Sequence, residues 1–578
     1  MERILVAVAW PYASGPAHLG NLAGAYLPPD IFARYHRLLG NKVLMVSGSD
    51  SHGTPTTLKA EEEGISPEEV FLRYHQTFLD NFRALGLSYD LFTHTDTENH
   101  HRVAQDMFLR LLERGFIYRD VMRQLYCQEE ERFLPDRYVE GICPYCSFPG
   151  ARGDQCDACG RPLDAGDLIE PRCKFDGSQP VMRETEHFFL DLAQFNEKLL
   201  EWVREKDYWR PNVLNFTLGF LREGLRGRPV TRDIEWGVPI PMDGYETKRI
   251  YVWFEAVIGY LSASIEWAKN QGTPERWQDW WQKPARSYYF LAKDNIVFHT
   301  VIWPAMLMGY RGLNLPYDVP ANEFLNLEGQ KFSASRNWAV WLPDYLSRYD
   351  PDPMRYYLTA NAPETRDTDF SWYDFWRRNN DELVATWGNL AHRVLTFCYR
   401  NFGQVPSPGE LDQRDKALLS QVEGAFKPIG ELIAKCKFRL ALGEVMALAR
   451  ETNRYLDEKE PWKQIEEDRE SASTALYVAL RVIDSLKVLF YPFLPFSSQK
   501  LHEYLGYESD LMGQLEIREY REKHKTHQAL VYHKSEADEK WAPSRLPIGQ
   551  RLRKPEPLFK KLDESIVEEE QARLGKPS

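Results

Sequence analysis

Residues 4–9, Ile-Leu-Val-Ala-Val-Ala, carry no polar side chain. A strand that is apolar on both faces must be covered on both faces. Antiparallel sheets commonly leave one face to water, so such a run belongs in a parallel sheet between layers of helix. The chain then turns sharply through Trp10-Pro11-Tyr12-Ala13-Ser14-Gly15-Pro16, residues that break regular structure. Leu22, Ala23, Tyr26, Leu27 and Ile31 resume at helical spacing, with Pro28-Pro29 demanding an irregularity. His18, Gly20 and Asn21 therefore stand where a first strand hands over to a helix. Unpaired backbone N–H groups and the positive helix end gather there, which suits a phosphate-bearing ligand.

A second apolar run, Val43–Val46, predicts a neighbouring strand that ends in Ser-Gly-Ser-Asp-Ser-His-Gly, residues 47–53. In an open parallel sheet, ligands lie beyond the carboxyl ends of the strands, so His18 and Asp50 are expected to share one crevice. Asp50 suits an ammonium group there, or else caps a turn. Residues 54–115 read as mainly helical, with a start signal at Ser66-Pro67-Glu68-Glu69. Strand signals return at Arg249–Phe254 and at Tyr288–Leu291. They run into Lys293-Asp294-Asn295-Ile296-Val297-Phe298-His299. Trp253, Tyr260 and His299 grouped at strand ends fit either core or a pocket for a small apolar ligand. Residues 326–336, with Lys331, Ser333, Ser335 and Arg336, read as an anion-binding loop. From Trp372 the pattern is helical, through 414–433, 440–456 and 473–490, which predicts a helical bundle. Residues 511–578 are polar, with Lys/Arg-rich and Glu-rich stretches, and read as a partly ordered extension.

The eight cysteines narrow the organisation further. Cys127, Cys173, Cys398 and Cys436 are isolated, but Cys143, Cys146, Cys156 and Cys159 form two CxxC knuckles nine residues apart. Four thiolates on two tight turns complete a tetrahedron, the pattern of one structural Zn²⁺ with no open position. The net charge of −13 excludes a uniformly basic coat of the kind that grips nucleic acid non-specifically. No apolar run approaches the ~18 residues of a membrane span, and no targeting segment precedes the first strand. A cytoplasmic protein is expected.

Ala17-His18-Leu19-Gly20-Asn21 paired with Lys331-Phe332-Ser333-Ala334-Ser335 resembles the two signatures of the class I aminoacyl-tRNA synthetases. The intervening stretches GSDSHGTP, FLPDR, TEHFFLDL, YVWFEAVIGY and KDNIVFHTVIWPAML are similar to the methionyl branch of that family, as are DPDPMRYYL, WGNLAHRV and NRYLDEKEPW further on. The resemblance covers about residues 1–510. It implies an α/β fold: a Rossmann-like parallel-sheet catalytic domain with an inserted zinc-knuckle domain, followed by an α-helical bundle. The expected divisions are 1–115 and 236–325 for the two catalytic halves and 116–235 for the knuckle-bearing insertion. The signature-loop domain takes 326–380, the anticodon-binding bundle 381–510 and the extension 511–578.

The implied chemistry joins L-methionine to ATP, as its Mg²⁺ complex, and passes the methionyl group to the 3′ end of tRNA(Met). His18, Asn21 and Lys331 are the implied catalytic residues. Tyr12, His18, Gly20, Asn21 and Asp294 are the implied ATP contacts, with Lys331, Ser333 and Ser335 closing over the phosphates. Asp50 would take the methionine ammonium. Ala9, Trp10, Tyr12, Trp253, Ala256, Tyr260 and His299 would surround its thioether chain. Asn389, Arg393 and Trp462 match anticodon-contacting positions, since a tryptophan stacks on an unpaired base and Asn and Arg read its edge. A monomer is expected. Two departures stand out. Asn21 replaces a histidine, and Ala334 replaces a lysine credited with stabilising the transition state. The second leaves a non-catalytic tRNA- or methionine-binding relative as the alternative.

Overall fold

The computed structural model describes all residues except 155, 157, 160, 162, 335, 536–539 and 577–578. Its centre is a seven-stranded sheet. In chain order the strands are β1 (Arg3–Val8), β2 (Lys42–Ser49), β3 (Leu91–His94), β4 (Arg286–Ala292), β5 (Ala321–Asn322), β6 (Gln514–Arg521) and β7 (Thr526–His533). The spatial order is β5-β4-β1-β2-β3-β7-β6. β1 is central and parallel to both β2 and β4. Its alternate residues divide between two cores: Ile4, Val6 and Val8 face one, Leu5 and Ala7 the other. This is why the run tolerates no polar side chain.

Several elements follow the local signals directly. Ser66 caps the helix Pro67–Ala84 and Glu69 returns the bond, a reciprocal pair that satisfies two free donors. The chain beyond His18 forms a short helix, Leu19–Asn21, then a π-helical turn, Leu22–Tyr26, before the regular helix Leu27–Leu38. The wide turn accommodates Pro28 and Pro29, whose nitrogens donate no bond. The bundle helices run Gln413–Ala434, Phe438–Lys459 and Arg469–Phe490.

The structure corrects two expectations and adds detail to a third. Arg249–Phe254 is not a sheet strand. Only Arg249–Ile250 pairs, with Thr231–Arg232, and Val252–Glu255 is helical. A short apolar run cannot be told from a helix segment by its pattern alone. Leu91–His94, inside a stretch read as helical, is β3, parallel to β2. Among the described residues of the polar extension, β6 and β7 form an antiparallel hairpin that continues the seven-stranded sheet beyond β3, and Ser565–Gln571 forms a helix. In that helix, buried Glu570 takes both Arg348 donors at 2.8 Å.

The insertion holds a four-stranded sheet built on the long pair Ile117–Cys127 and Val181–Leu190, and a smaller sheet beside the cysteines. The bundle is fastened to the sheet domain by a fully buried ionic knot. Asp30 pairs with Arg34 at 2.9 Å and Arg355 at 2.7 Å, and Arg355 donates to the Phe493 carbonyl at 2.9 Å. Asp30 is held far below the usual carboxylate range: the two guanidinium charges and Ser88 overcome the burial that opposes ionisation. Among the described residues no helix is long and apolar enough to cross a membrane.

Candidate functional site

The loops leaving β1, β2 and β4 at their carboxyl ends enclose a cavity of about 570 Å³. The β1 and β2 loops lie side by side. The Asp50 N–H donates to the Pro11 carbonyl at 2.7 Å, and Ala13 N–H to the Asp50 carbonyl at 2.9 Å. This brings Tyr12 next to Asp50, as the topological rule for open sheets requires.

At one end of the cavity the walls are aromatic. Trp10 lies in a slot between Gly48 and Gly259, where an added Cβ would come within 2.2 and 2.6 Å of its indole. Both positions therefore need glycine for close approach. Tyr260 donates its hydroxyl to His299 Nε2 at 2.7 Å, while His299 Nδ1 donates to the Asn295 carbonyl at 2.9 Å. Burial lowers the His299 pKa to about 4, so its ring is neutral at physiological pH. Trp253 stacks on Phe298 at 4.2 Å and meets Tyr12 edge-on at 6.0 Å. Ala9 and Ala256 complete this end. Asp50, 3 % exposed, is its carboxylate. Burial, then the nearby Glu255 charge, raises its pKa well above the ordinary value. A cationic ligand group would relieve that state.

The other end carries the first signature. His18 caps the short helix: its Nδ1 accepts the Gly20 N–H at 3.1 Å, and Asn21 Oδ1 accepts the His18 N–H at 3.0 Å. Asn21 thus serves the cap box where a histidine was the expected residue. Burial lowers the His18 pKa to about 4, leaving a neutral ring. Asp294, Lys331 and Ala334 line the same cavity. Lys331 is exposed, and Ser333 pairs its backbone with Trp338. Ser335 lies outside the described residues. Lys293 does not stand in for the missing signature lysine, because Glu323 at 2.8 Å and Asp367 at 2.7 Å hold it. Two residues that sequence reasoning missed close this end. Phe332 stacks on His18 at 4.6 Å, and Trp341 meets the same ring at 5.8 Å. An aromatic inside the second signature is the only signal that pointed to Phe332, and none pointed to Trp341.

In the insertion, Cys143 and Cys159 Sγ atoms are 3.9 Å apart and those of Cys146 and Cys156 3.6 Å. A tetrahedron of thiolates at ~2.3 Å from a metal has edges of about 3.8 Å. All four sulfurs lie within 4.8 Å of one another, so the set is shaped to hold a metal ion. In the bundle, Asn389 and Arg393 lie one turn apart on the helix Asn389–Asn401. The Arg393 guanidinium sits 4.1 Å over the Trp462 ring. The structure brings Arg393 and Trp462 together and leaves Asn389 exposed beside them.

The cavity is aromatic at one end and bounded by the His18 helix start at the other, in a chain that also carries a separate helical bundle. The family profile "tRNA synthetases class I (M)" matches residues 4–395, and "Anticodon binding domain of methionyl tRNA ligase" matches 405–577. The chain belongs to the methionyl-tRNA synthetase family. It is 60 % identical over 578 residues to the methionine–tRNA ligase of Thermomicrobium roseum, covering 99 % of each chain. It is 58 % identical over 584 residues to that of Roseiflexus castenholzii, again covering 99 % of each. Among solved structures, Mycobacterium tuberculosis methionyl-tRNA synthetase in complex with methionyl-adenylate superposes with a TM-score of 0.77 at 25 % identity. The match covers 97 % of this chain and 100 % of that one. The membership accounts for both halves of the molecule, the sheet domain and the bundle.

Proposed function

We propose that the chain is a methionine–tRNA ligase. It condenses L-methionine with ATP to methionyl-adenylate and pyrophosphate, then transfers the methionyl group to the 3′ end of tRNA(Met). The observation that carries this reading is the single cavity with two chemically distinct ends. One end offers a buried carboxylate within an aromatic cage, the other a helix N-terminus with a lysine at its rim.

In this reading Asp50 takes the ammonium, and Trp10, Tyr12, Trp253, Ala256, Tyr260 and His299 surround the thioether, a polarizable group that aromatic edges favour. Neutral His299 suits an uncharged side chain. The methionine carboxylate then faces the α-phosphate, and reaction needs alignment more than covalent catalysis. Negative charge grows on the departing pyrophosphate. His18 and Asn21 fix the helix N-terminus towards it, and Lys331, with Ser333 and Ser335, supplies a cation and donors. Magnesium arrives on the ATP phosphates. The four-cysteine set is assigned to Zn²⁺, which folds the insertion and takes no part in the reaction, since four protein ligands leave no open position. Trp462, Arg393 and Asn389 read the anticodon by stacking and edge contacts. The working unit is the single chain, whose own elements line the whole cavity.

Ala334 favours one second reading, a binding protein that has lost catalysis. Methionine-dependent ATP–pyrophosphate exchange separates the two. Exchange followed by charging of tRNA with methionine, and with no other apolar amino acid, supports the ligase. Methionine binding without exchange refutes it.

A further inference from the structure

Behind the amino-acid end of the cavity lies a carboxylate with no part in the roles above. Glu255 is fully buried and sits between the cavity residues Trp253 and Ala256. Its two oxygens are clamped by two imidazoles: Oε1 pairs with His52 Nδ1 at 2.8 Å and Oε2 with His100 Nε2 at 2.6 Å. Each imidazole leads to one wall of the pocket. The His52 backbone N–H donates to Asp50 Oδ1 at 3.3 Å, the side-chain bond that holds the rotamer of the ammonium-binding carboxylate. His100 Nδ1 pairs with Ser262 Oγ at 2.8 Å. Ser262 bonds the Gly259 carbonyl at 3.1 Å, and Gly259 is one side of the Trp10 slot. The His100 ring also lies 6.4 Å from the Trp10 ring.

We propose that Glu255 and His52 are positioning residues for methionine: the clamped Glu255 carboxylate fixes the Asp50 carboxylate and the Trp10 ring at the amino-acid end of the cavity. The inference rests on the reading of Asp50 as the ammonium site. Electrostatics favours the arrangement. An isolated Glu255 charge would compete with Asp50 for ionisation, as two carboxylates sharing a site do. Although burial opposes it, the Glu255 charge raises the His52 pKa to about 10. His52 then offsets part of the Glu255 charge felt at Asp50, whose pKa burial and Glu255 still raise until a ligand ammonium meets it. The far side of His52 faces Asp96 at 3.7 Å. Asp96 is itself met by His101 at 3.3 Å and by Lys525 at 2.6 Å, from the turn between β6 and β7. The C-terminal hairpin thus meets the outer end of this charged chain through Lys525.

The test is steady-state ATP–pyrophosphate exchange on full-length Glu255→Gln, His52→Gln, the double variant and Asp50→Asn, with thermal unfolding as the fold control. Misplacing a binding group by about 1 Å costs up to ~100-fold. Glu255→Gln and His52→Gln are each expected to raise the KM for methionine about 10–100-fold while kcat and the KM for ATP change less than about threefold. The double variant is expected to lose no more than the worse single one, because both act through one clamp. Should Glu255→Gln not accumulate as folded protein, His52→Gln carries the test. Unchanged methionine KM in a folded single variant, or equal losses for methionine and ATP, overturns the inference. If Asp50→Asn leaves methionine KM unchanged, the ammonium reading itself fails. If it raises that KM and the clamp variants do not, only the positioning role fails.

Discussion

Replacing Asp50 with asparagine should weaken the enzyme and stabilise the fold at the same time. Asparagine is isosteric, and its Oδ1 still accepts the His52 N–H, so the loop geometry is retained. On the proposed reading, what disappears is a charge-assisted bond to the methionine ammonium in a pocket where the carboxylate is 3 % exposed. Such a bond, desolvated, contributes about 2–4 kcal/mol, which is about 30- to 900-fold in kcat/KM for methionine. The ATP side of the cavity is untouched, so KM for ATP should hold. Stability moves the other way. Burial, then Glu255, raises the folded-state pKa of Asp50 above its unfolded value. The unfolded chain therefore releases this proton first, and Asp50 costs the ligand-free fold stability once pH exceeds the unfolded pKa. Asparagine removes that cost, so the melting temperature of the ligand-free variant at neutral pH should rise. Exchange kinetics and calorimetry check both halves. Wild-type affinity for methionine, or a lowered melting temperature, would refute the reasoning.

Lys331→Ala should reduce kcat for exchange by about 100- to 1,000-fold, as for loss of one transition-state donor, with KM for methionine unchanged in the same assay. Trp462→Ala should raise KM for tRNA by the ~1–3 kcal/mol of one base stack while leaving exchange intact, a split that charging and exchange assays read together. Metal analysis should find one zinc per chain. Cys146→Ser should lower that content and make the insertion an early site of proteolytic cleavage, since the metal supplies folding energy there. His18, His75 and His299 are held neutral, with pKa values lowered by burial to about 4. The unfolded chain takes up these protons first as pH falls, so the melting temperature should decline between about pH 6.5 and 4, followed by calorimetry.

The features legible in the sequence were those set by near neighbours. The unbroken apolar run at β1 announced a strand covered on both faces, and Ser66 with Glu69 announced a helix start. The paired CxxC turns brought four sulfurs together. The features that were not legible depend on partners far along the chain. Glu255 meets its imidazoles across 203 and 155 positions, and no local pattern distinguishes it from a surface glutamate. The hairpin β6–β7 reads as polar because β6 is largely solvent-exposed, with alternating half-buried and exposed residues, while β7 carries the buried contacts to β3. Tertiary pairing decided its state where composition could not. Arg249–Phe254 was misread because a short run rich in aromatic and β-branched residues fits strand or helix, and here half-buried and buried residues alternate across a two-residue strand and the helical turn after it. Trp341 reaches His18 only because the chain folds back to place it there.

The most direct test is the structure of the enzyme with a non-hydrolysable methionyl-adenylate analogue bound. The ammonium is expected at hydrogen-bond distance, about 2.7–3.2 Å, from Asp50. The thioether should lie among Trp10, Tyr260 and His299, and the phosphate mimic between the His18 helix start and Lys331. An analogue bound in the reverse sense, or with its ammonium away from Asp50, would contradict it.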